Sequence, residues 1–452
     1  MSEVQSFLKS VNFKDLENWS VQYLLETSFS YNESYPLVKI GSFLTRNKTQ
    51  IIVQDDVEYK RVTIKINNGG IFLRDKKIGK DIGTKKQFII KKGQFLLSKI
   101  DARNGAFGVV TDEVDEAIIT GNFWTFDVNY TQINPHFLSL ITTTKEFIRF
   151  CANASNGTTN RHYLQEEAFL NVKIPLPSPQ QQEEILKKYN DKIELAKQQE
   201  EEAKEIEDSI EKYLFEELGI EKIEIKKEKS GLQFVEFKDI IEWNLNKILK
   251  TLSIKSLKYK MYKFQDVCTL ITDGTHQTPT YTTKEDGIIF LSSKDVTTKE
   301  INWNKIKYIP KELHQKLTQR VKPKIFDILL AKNGTTGVAA ILDIEKEFSI
   351  YVSLALLRPI QNLINPYYLL YYINSSISKK QFNEKLVGVG VPNLHLSKIR
   401  ETLIALPPLN IQEKIANEIT KRKEKIKQLK QKAQKNREEA IKEFEREIFD
   451  EN

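Results

Sequence analysis

The feature that most constrains this chain is a long run without glycine or proline in its middle. The run follows the phrase IPLPSPQQQEEI (Ile174 to Ile185) and ends at Gly219. Small and apolar residues recur in it at seven-residue spacing, most clearly at Ala196, Ala203 and Ile210, whereas most other positions are Glu, Lys or Gln. A helix of roughly 40 residues spans about 60 Å. Because such a helix is polar except for one narrow seam, it needs a partner helix to cover that seam.

The partner helix is predicted in the same chain. The phrase IALPPLNIQEKI (Ile404 to Ile415) repeats the first phrase and opens a second run without glycine or proline, which continues to Asn452. The apolar seam of this second run consists of Ile415, Ile419, Ile426, Leu429, Ala433, Ala440, Phe444 and Ile448. We therefore expect the two runs to form an antiparallel coiled-coil pair. The repeated phrase also indicates that the chain is an internal duplication.

A second pair of matching segments supports the duplication. FKDLENWSVQYLL (Phe13 to Leu25) aligns with FKDIIEWNLNKIL (Phe237 to Leu249), and we interpret each as a short amphipathic element. The predicted organisation is an N-terminal amphipathic element at 1–35 that is repeated at 235–258, a first globule at 36–177, a central long helix at 178–222, a linker and repeated element at 223–258, a second globule at 259–407 and a distal long helix at 408–452.

Each globule is predicted to be a mixed α/β domain, so the fold class is α+β. Both copies are rich in Ile, Val, Thr, Phe and Tyr, and Gly, Asn and Asp interrupt these stretches, which is typical of strands and turns. The strand GQFLLSK (Gly93 to Lys99) matches FDILLAK (Phe326 to Lys332). INPHFLSLI (Ile133 to Ile141) matches INPYYLLYYI (Ile364 to Ile373), and each predicts a helix with Asn at the cap and Pro just inside.

Composition limits the class of protein. Of the 452 residues, 40% are hydrophobic and 29% are charged, which indicates two or three globular domains. The net charge of +8 is compatible with a polyanionic partner. Two cysteines, Cys151 and Cys268, are too few for a disulfide framework, so we interpret them as buried packing residues. Without a signal-peptide pattern or an apolar run of ~20 residues, we expect a soluble cytoplasmic protein that does not bind a membrane.

Motifs of self-sufficient enzymes are missing from the sequence. It has no GxxxxGK[ST] phosphate loop, no HExxH, no CxxC pair and no GxSxG elbow, and its five histidines lack metal-ligand spacing. The tetrapeptides NPHF (Asn134 to Phe137) and NPYY (Asn365 to Tyr368) resemble the Asn-Pro-Pro-aromatic loop of adenine methyltransferases. That loop requires a second proline and an upstream glycine-rich turn, so we prefer the helix-cap interpretation and expect no catalytic residues and no metal or cofactor in this chain.

One lysine-rich segment is suited to DNA phosphates. KKIGKDIGTKK (Lys76 to Lys86) surrounds two glycines with five lysines, and we expect a flexible, strongly positive loop. The alternative is a basic surface hairpin without a ligand. The candidate phosphate-binding residues are Lys76, Lys77, Lys80, Lys85 and Lys86.

Four further loops carry side chains that can read base edges. KIDARNGAFG and AKNGTTG place Arg or Lys beside Asn at the end of a strand, where these side chains can contact guanine and adenine in a major groove. The alternative for both loops is a simple Asn-Gly turn. DGTHQTPTY and NRHY collect further hydrogen-bonding side chains. The candidate base-reading residues are Arg103, Asn104, Asn160, Arg161, Thr275, His276, Gln277, Lys332, Asn333 and Thr335.

Taken with the duplication, these motifs resemble the specificity subunit of type I restriction–modification systems. The residues that carry the resemblance are DGTHQTPTY followed by GIIFLSSKDV, then FDILLAKNGTTG, GVPNLHLSKI and the two proline-glutamine helix openings. The resemblance covers nearly the whole chain. The second half matches more closely than the first, where KIDARNGAFG is longer than the usual glycine loop and NGTTNRHYL replaces the PNL phrase.

The resemblance implies how such a protein works. It implies two target-recognition domains, each reading one half of a split, asymmetric double-stranded DNA sequence. The paired helices would separate these domains and dock two methyltransferase subunits, and ATP-dependent restriction subunits that translocate and cleave DNA would join them. S-adenosylmethionine, ATP and Mg²⁺ would then belong to the partner subunits.

Two alternatives use the same sequence features differently. The chain could be a tandem DNA-binding adaptor or decoy without methyltransferase partners, which a neighbouring methyltransferase reading frame would argue against. It could also be a coiled-coil scaffold whose globules bind proteins, and such a scaffold would enrich nothing from random duplex DNA.

Overall fold

The computed structural model describes residues 31–156, 162–220, 256–304, 306–384 and 393–449. The chain divides into two compact units, the first drawn from Met1–Gln198 and Lys432–Asn452 and the second from Gln199–Gln431. Each unit therefore contains one globule and one half of each long helix. The predicted amphipathic elements at 1–35 and 235–258 lie almost entirely outside the described residues.

The first unit combines two β-sheets with short helices. Its strands are β1 (Leu37–Lys39), β2 (Leu44–Asn47), β3 (Gln50–Ile52), β4 (Glu58–Ile64), β5 (Ile71–Ile78), β6 (Lys86–Ile89), β7 (Phe95–Ser98), β8 (Phe107–Val109), β9 (Ile118–Ile119), β10 (Phe123–Val128), β11 (Ser155–Asn156), β12 (Tyr163–Leu164) and β13 (Lys173–Pro175). Its helices are α1 (Pro135–Thr142), α2 (Lys145–Asn153), α3 (Glu166–Asn171) and the first half of α4 (Pro179–Leu218). The strand orders are β2-β10-β7-β8 and β3-β6-β9-β4-β5, and β1 pairs with β13.

The second unit repeats this plan with a smaller second sheet. Its strands are β14 (Met261–Lys263), β15 (Cys268–Asp273), β16 (Gly287–Leu291), β17 (Lys307–Pro310), β18 (Ile328–Ala331), β19 (Ala339–Ile341), β20 (Phe348–Ile350), β21 (Leu354–Pro359) and β22 (Leu403–Ala405). Its helices are α5 (Phe264–Val267), α6 (Lys311–Arg320), α7 (Pro366–Ile373), α8 (Ser376–Glu384), α9 (Leu396–Arg400) and the first part of α10 (Leu409–Ile448). The strand orders are β15-β21-β18-β19 and β17-β16-β20, and β14 pairs with β22.

The two units share their four-stranded sheet and the pairing of three strands of the second sheet. The four-stranded sheets have the same order and the same antiparallel pairing. In the second sheets, β4 pairs antiparallel with β5 and parallel with β9, just as β16 pairs antiparallel with β17 and parallel with β20. The predicted duplication and the α+β class are thereby confirmed.

Short polar signals start the helices that follow each four-stranded sheet. Asn134 precedes α1 and its side-chain oxygen accepts the backbone N–H of His136, while Pro135 occupies the first helical position. Asn365 caps α7 in the same way, with its side-chain oxygen accepting two backbone N–H groups. The helix-cap interpretation of NPHF and NPYY is confirmed, because these side chains satisfy donors that a helix N-terminus leaves unpaired.

The repeated helix-opening phrase is explained by one buried glutamine in each copy. The Gln182 amide oxygen accepts the backbone N–H of Asn134 at 2.8 Å, and its Nε2 donates to the carbonyls of Gln132 and Pro177. Gln412 repeats these contacts with Asn365, Leu363 and Pro407. Both glutamines are fully buried. Each one ties the first turn of a long helix to the chain entering α1 or α7.

The predicted seam residues of the long helices are buried within each unit, except for Ile210, which is half-buried. In the second unit Ala203 packs with Ile426 and Leu429. Glu217 forms an ion pair with Lys414, and the Ser209 carbonyl accepts a hydrogen bond from Arg422, so the two helices run antiparallel. In the first unit Ala196, Ala433 and Ala440 are buried in the same manner. Helix α4 ends at Leu218, where Gly219 adopts a positive φ of 59°, a common helix terminator.

The glutamine contacts generate a stability prediction. We expect Gln412→Ala to lower the free energy of unfolding by roughly 3 kcal/mol, because it leaves the buried Asn365 N–H and two carbonyls without their partner. Gln434→Ala is the matched control, since Gln434 is exposed on the same helix and contacts only Glu438. Urea unfolding measures both variants, and equal midpoints would contradict the locking role.

Candidate nucleic-acid interface

In the second unit, the loops singled out from the sequence meet at one edge of the four-stranded sheet. β15 and β18 are both antiparallel to β21, so their C-terminal ends lie on the same side of the sheet. The loops that follow them, 274–281 and 332–338, therefore lie at this edge together with residues 351–353 before β21. We call this set of residues the recognition edge of the second unit.

The buried carboxylate of Asp273 connects the parts of this edge. Lys332 Nζ lies 2.6 Å from Asp273 Oδ2, and Arg320 Nη2 lies 3.1 Å from Asp273 Oδ1. His276 Nε2 lies 3.4 Å from the same Oδ1. Burial by itself raises the pKa of Asp273, but the hydrogen bonds and charges of these three neighbours outweigh burial and hold the pKa below its usual value. Asp273 thus stays ionised and holds β18, α6 and the 274–281 loop together.

Glycine and backbone pairing shape the loop that follows Asp273. A Cβ atom on Gly274 would come 1.8 Å from the Ile350 carbonyl oxygen, so only glycine fits there. Thr275 then pairs with Tyr351, as its N–H donates to the Ile350 carbonyl at 3.1 Å. His276 and Gln277 lie beyond this anchor and are exposed.

The loop after β18 separates a buried lysine from exposed polar groups. Lys332 is 5% exposed and its ammonium faces Asp273 rather than solvent. Asn333 is half-buried and forms a backbone bridge with Asn393, whereas Thr335 is exposed. Gly334 and Gly337 have φ values of 76° and 86°, so the turn that was the alternative interpretation is present. This turn places Asn333 and Thr335 at the recognition edge.

The first unit has the corresponding corner with different chemistry. The Lys99 carbonyl accepts the N–H of Leu164 at 2.8 Å, and the Lys332 carbonyl accepts that of Leu394 at 3.0 Å, so Lys99 occupies the place of Lys332. Its ammonium, however, lies over the Tyr163 ring at 5.4 Å. No carboxylate equivalent to Asp273 follows β2: the sheet register puts the exposed Lys48 at that position.

Arg103 and Asn104 lie in a 3-10 turn, Ala102–Asn104, after β7. Asn104 is exposed and Arg103 is half-buried. Gly105 closes the turn with a φ of 74°. The backbone N–H groups of Asn67 and Asn68 donate to the carbonyls of Asn104 and Gly105 at 2.7 and 3.0 Å. We call Ser98–Gly105 with Lys48 the recognition edge of the first unit.

The lysine-rich segment is not the single flexible loop that the sequence suggested. Lys76 and Lys77 lie on β5, Lys80 lies in the 3-10 turn Gly79–Asp81, and Lys86 begins β6. β5 and β6 are not neighbours in the sheet, so the hairpin alternative is also wrong. Lys85 donates to Asp55 Oδ1 at 2.5 Å and to the Gly79 carbonyl at 2.7 Å. This side chain braces the loop, while Lys76, Lys80 and Lys86 are exposed.

Most of the chain also matches a known protein family. The model of the family described as type I restriction modification DNA specificity domain matches residues 32–205 and 256–436, more than half of the chain. The chain belongs to this family. Each matched range covers one globule and more than half of the long helix that follows it. The function of the chain is therefore DNA specificity in a type I restriction–modification system.

Individual relatives agree with this specificity family. The MjaVIII type I restriction enzyme specificity subunit of Methanocaldococcus jannaschii is 23% identical over 430 residues, which cover 92% of this chain and 90% of that protein. The HindI specificity subunit of Haemophilus influenzae is 29% identical over 120 residues, 26% of each chain. A solved chain from a study of assembly and conformational transition in a type I restriction–modification system has a TM-score of 0.58 at 16% identity, covers 93% of this chain and 97% of its own, and shows the same fold.

Sequence reasoning missed the residues that hold the specificity family's loops in place. Asp273 and Arg320 were not among the candidates, although Asp273 opens the motif DGTHQTPTY. The sequence signal that could have identified Asp273 is an acidic residue at the end of a strand, directly before a glycine that no other residue can replace. Asn160 and Arg161, which were candidates, lie outside the described residues.

Membrane-spanning helices and clusters of metal-binding side chains are both absent from the part of the chain that the structure describes. There, no helix is both long and apolar enough to cross a membrane. In the same ranges, no group of three His, Cys, Asp or Glu side chains could hold a metal ion.

The Asp273 contacts predict how stability depends on pH. Because its pKa is depressed in the folded protein, its contribution is complete above the unfolded value of about 3.9 and is lost as the pH falls through the folded value. Asp273→Asn should cost roughly 3–5 kcal/mol near neutral pH, since it leaves the Lys332 ammonium buried without its counter-ion. The difference from wild type should shrink below about pH 4. Asp286→Asn, at an exposed position, is the control, and a pH-independent difference in urea unfolding would refute the charge argument.

Proposed function

We propose that this chain reads a split, asymmetric double-stranded DNA target, with one half-site contacted by each unit. The observation that carries the proposal is that two recognition edges occupy the same place on a repeated framework and yet differ in their side chains. An identical pair of edges would suit two identical half-sites. The Asp273–Lys332 pair of one edge and the Lys48 and Lys99 residues of the other suit two different ones.

We assign different roles to the exposed side chains of the two edges, to the buried Lys332 and to the lysine-rich segment. The exposed or half-buried polar side chains read base edges by hydrogen bonding, as Asn and Arg do with adenine and guanine. These are Arg103, Asn104, Thr275, His276, Gln277, Asn333 and Thr335. Lys332 acts instead as the counter-ion of Asp273 because its ammonium is buried. The exposed Lys76, Lys80 and Lys86, with the half-buried Lys77, hold phosphates and position the protein without reading sequence.

The partners of this chain carry out the reaction. We propose that it docks two methyltransferase subunits and, through them or beside them, restriction subunits, and that it is not itself catalytic. S-adenosylmethionine, ATP and Mg²⁺ are then bound by those partners. The docking proposal rests on the membership of the chain in the specificity family, whose members serve type I restriction–modification systems.

Methylation mapping tests this function directly. We expect deletion of the gene to abolish adenine methylation at one split, asymmetric motif in the source genome, because DNA specificity is the role of this family. Single-molecule sequencing of genomic DNA from the deleted and complemented strains makes the measurement. If complementation restores no motif and the purified complex enriches none from random duplexes, the recognition role is wrong and a scaffold role is favoured.

Replacement of a single proposed base-reading residue should relax one half-site. We expect Asn333→Ala to reduce base preference at one or two positions of a single half-site, by roughly 1–3 kcal/mol of discrimination, while the other half-site is unchanged. Selection from a randomised duplex by the methyltransferase complex gives the preference at each position. Asn362→Ala is the matched control, because Asn362 is exposed at the opposite end of β21. An unchanged preference in Asn333→Ala would remove this residue from the reading set.

A further inference from the structure

We propose that each unit has a second DNA-contacting element besides its strand-end loops, at the place where the chain leaves β4 or β16. In the first unit this element is the tight turn 65–70 with the adjoining part of β5 as far as Asp75, and in the second it is the 3-10 turn Ser293–Asp295 directly after β16. The inference deepens the proposed DNA-reading function and rests on it. Neither element was among the residues that the sequence marked for DNA contact.

In the first unit the turn is fastened to the recognition edge by its backbone. Asn67 and Asn68 have φ values of 56° and 58°, a conformation that closes tight hairpins and that asparagine tolerates. Their N–H groups bind the Asn104 and Gly105 carbonyls, as described above, and Asn68 Nδ2 donates to the Thr143 carbonyl at 2.9 Å. The tip of the ribbon is thus held beside the predicted readers Arg103 and Asn104.

The ribbon tip presents a mixture of side chains suited to DNA. Ile66 is 51% exposed and Asn67 is exposed beside it. The Lys65 ammonium lies 4.3 Å from the centre of the Phe72 ring, and Phe72 is itself 40% exposed. Arg74 is exposed and lies 3.8 Å from Asp75, whose carboxylate is already bound by Arg61 at 2.6 Å. Three of these four charged side chains are cations and one is an anion, so this part of the hairpin has a net positive charge. A two-stranded β-ribbon also fits the major groove of DNA.

The second unit fastens its element to its own recognition edge. The Ser293 N–H donates to Ser353 Oγ at 3.0 Å, and the Ser353 carbonyl accepts the N–H of Lys332 at 2.8 Å. Ser292 and Asp295 close the turn, since the Asp295 carboxylate accepts from both the N–H and the hydroxyl of Ser292. The turn therefore holds the exposed Lys294 near the end of β18. The same element approaches the same edge in both units, although its length and sequence differ.

Salt dependence separates DNA contact from mere support of the fold. Each DNA phosphate that a cation of the protein neutralises contributes about 0.9 to the magnitude of the slope of log K against log salt, and removal of that cation reduces the magnitude by the same amount. We expect Lys65→Ala with Arg74→Ala to reduce the slope by about 2 and Lys294→Ala to reduce it by about 1. The complex of this chain with its methyltransferase subunits is titrated, at several salt concentrations, against a duplex that carries the mapped methylation motif and against a scrambled duplex.

Matched controls are exposed cations before the first residues of β7 and β16, because the recognition edges lie at the other ends of these two strands. Lys91→Ala with Lys92→Ala removes two exposed cations before β7, and Lys284→Ala removes one before β16. A partly unfolded variant lowers the active fraction but leaves the slope unchanged, so misfolding is distinguishable from lost contact. Slopes equal to those of the controls overturn the inference while leaving the proposed function intact. A wild-type complex that does not distinguish the motif duplex from the scrambled duplex overturns both.

Discussion

One buried amide group fastens each globule to a long helix, and the rest of the architecture depends on this attachment. Gln182 and Gln412 each join three backbone groups: the first residue of a helix cap, the turn before it and the proline segment that opens the long helix. A buried amide can replace water for all three groups only if its geometry is fixed. This requirement explains why the helix-opening phrase is repeated while the loops around it are free to differ.

The loops at the recognition edges differ between the two units, and these loops carry the residues that we propose to read DNA. The corner after β7 and the corner after β18 share their backbone hydrogen bonds, yet one has Lys99 over a tyrosine ring and the other has Lys332 buried against Asp273. A common framework with unlike edges is a way to read two unlike half-sites with one chain. Asp273 and the buried Lys332 hold the shape of the second edge, whereas Arg103 in the first edge is one of the residues that we propose to contact DNA.

The candidate site shows how far residue type alone can lead. Lys332 stands beside Asn333 in a motif that indicates DNA contact, and both were expected to read bases. Only Lys332 is buried as part of an ion pair, because β15 ends at Asp273, which is distant in sequence but adjacent in space. Likewise, the lysines from Lys76 to Lys86 look like one loop in the sequence, but they are divided between two strands that are not neighbours and the segment that joins them. Patterns of residues identified the loops, but not which side of each loop faces solvent.

The sequence by itself determined the duplication, the paired long helices and the asparagine-capped helices, since these depend on local periodicity and capping, and its resemblance to the specificity family indicated the general class of partner. Only the tertiary structure decided which loops meet at an edge, which lysine is buried and which turn lies beside Asn104. These depend on strand order and register, and strands that pair across long separations leave no local signal of their neighbour. A buried carboxylate such as Asp273 acquires its role only from the cations that the sheet brings to it.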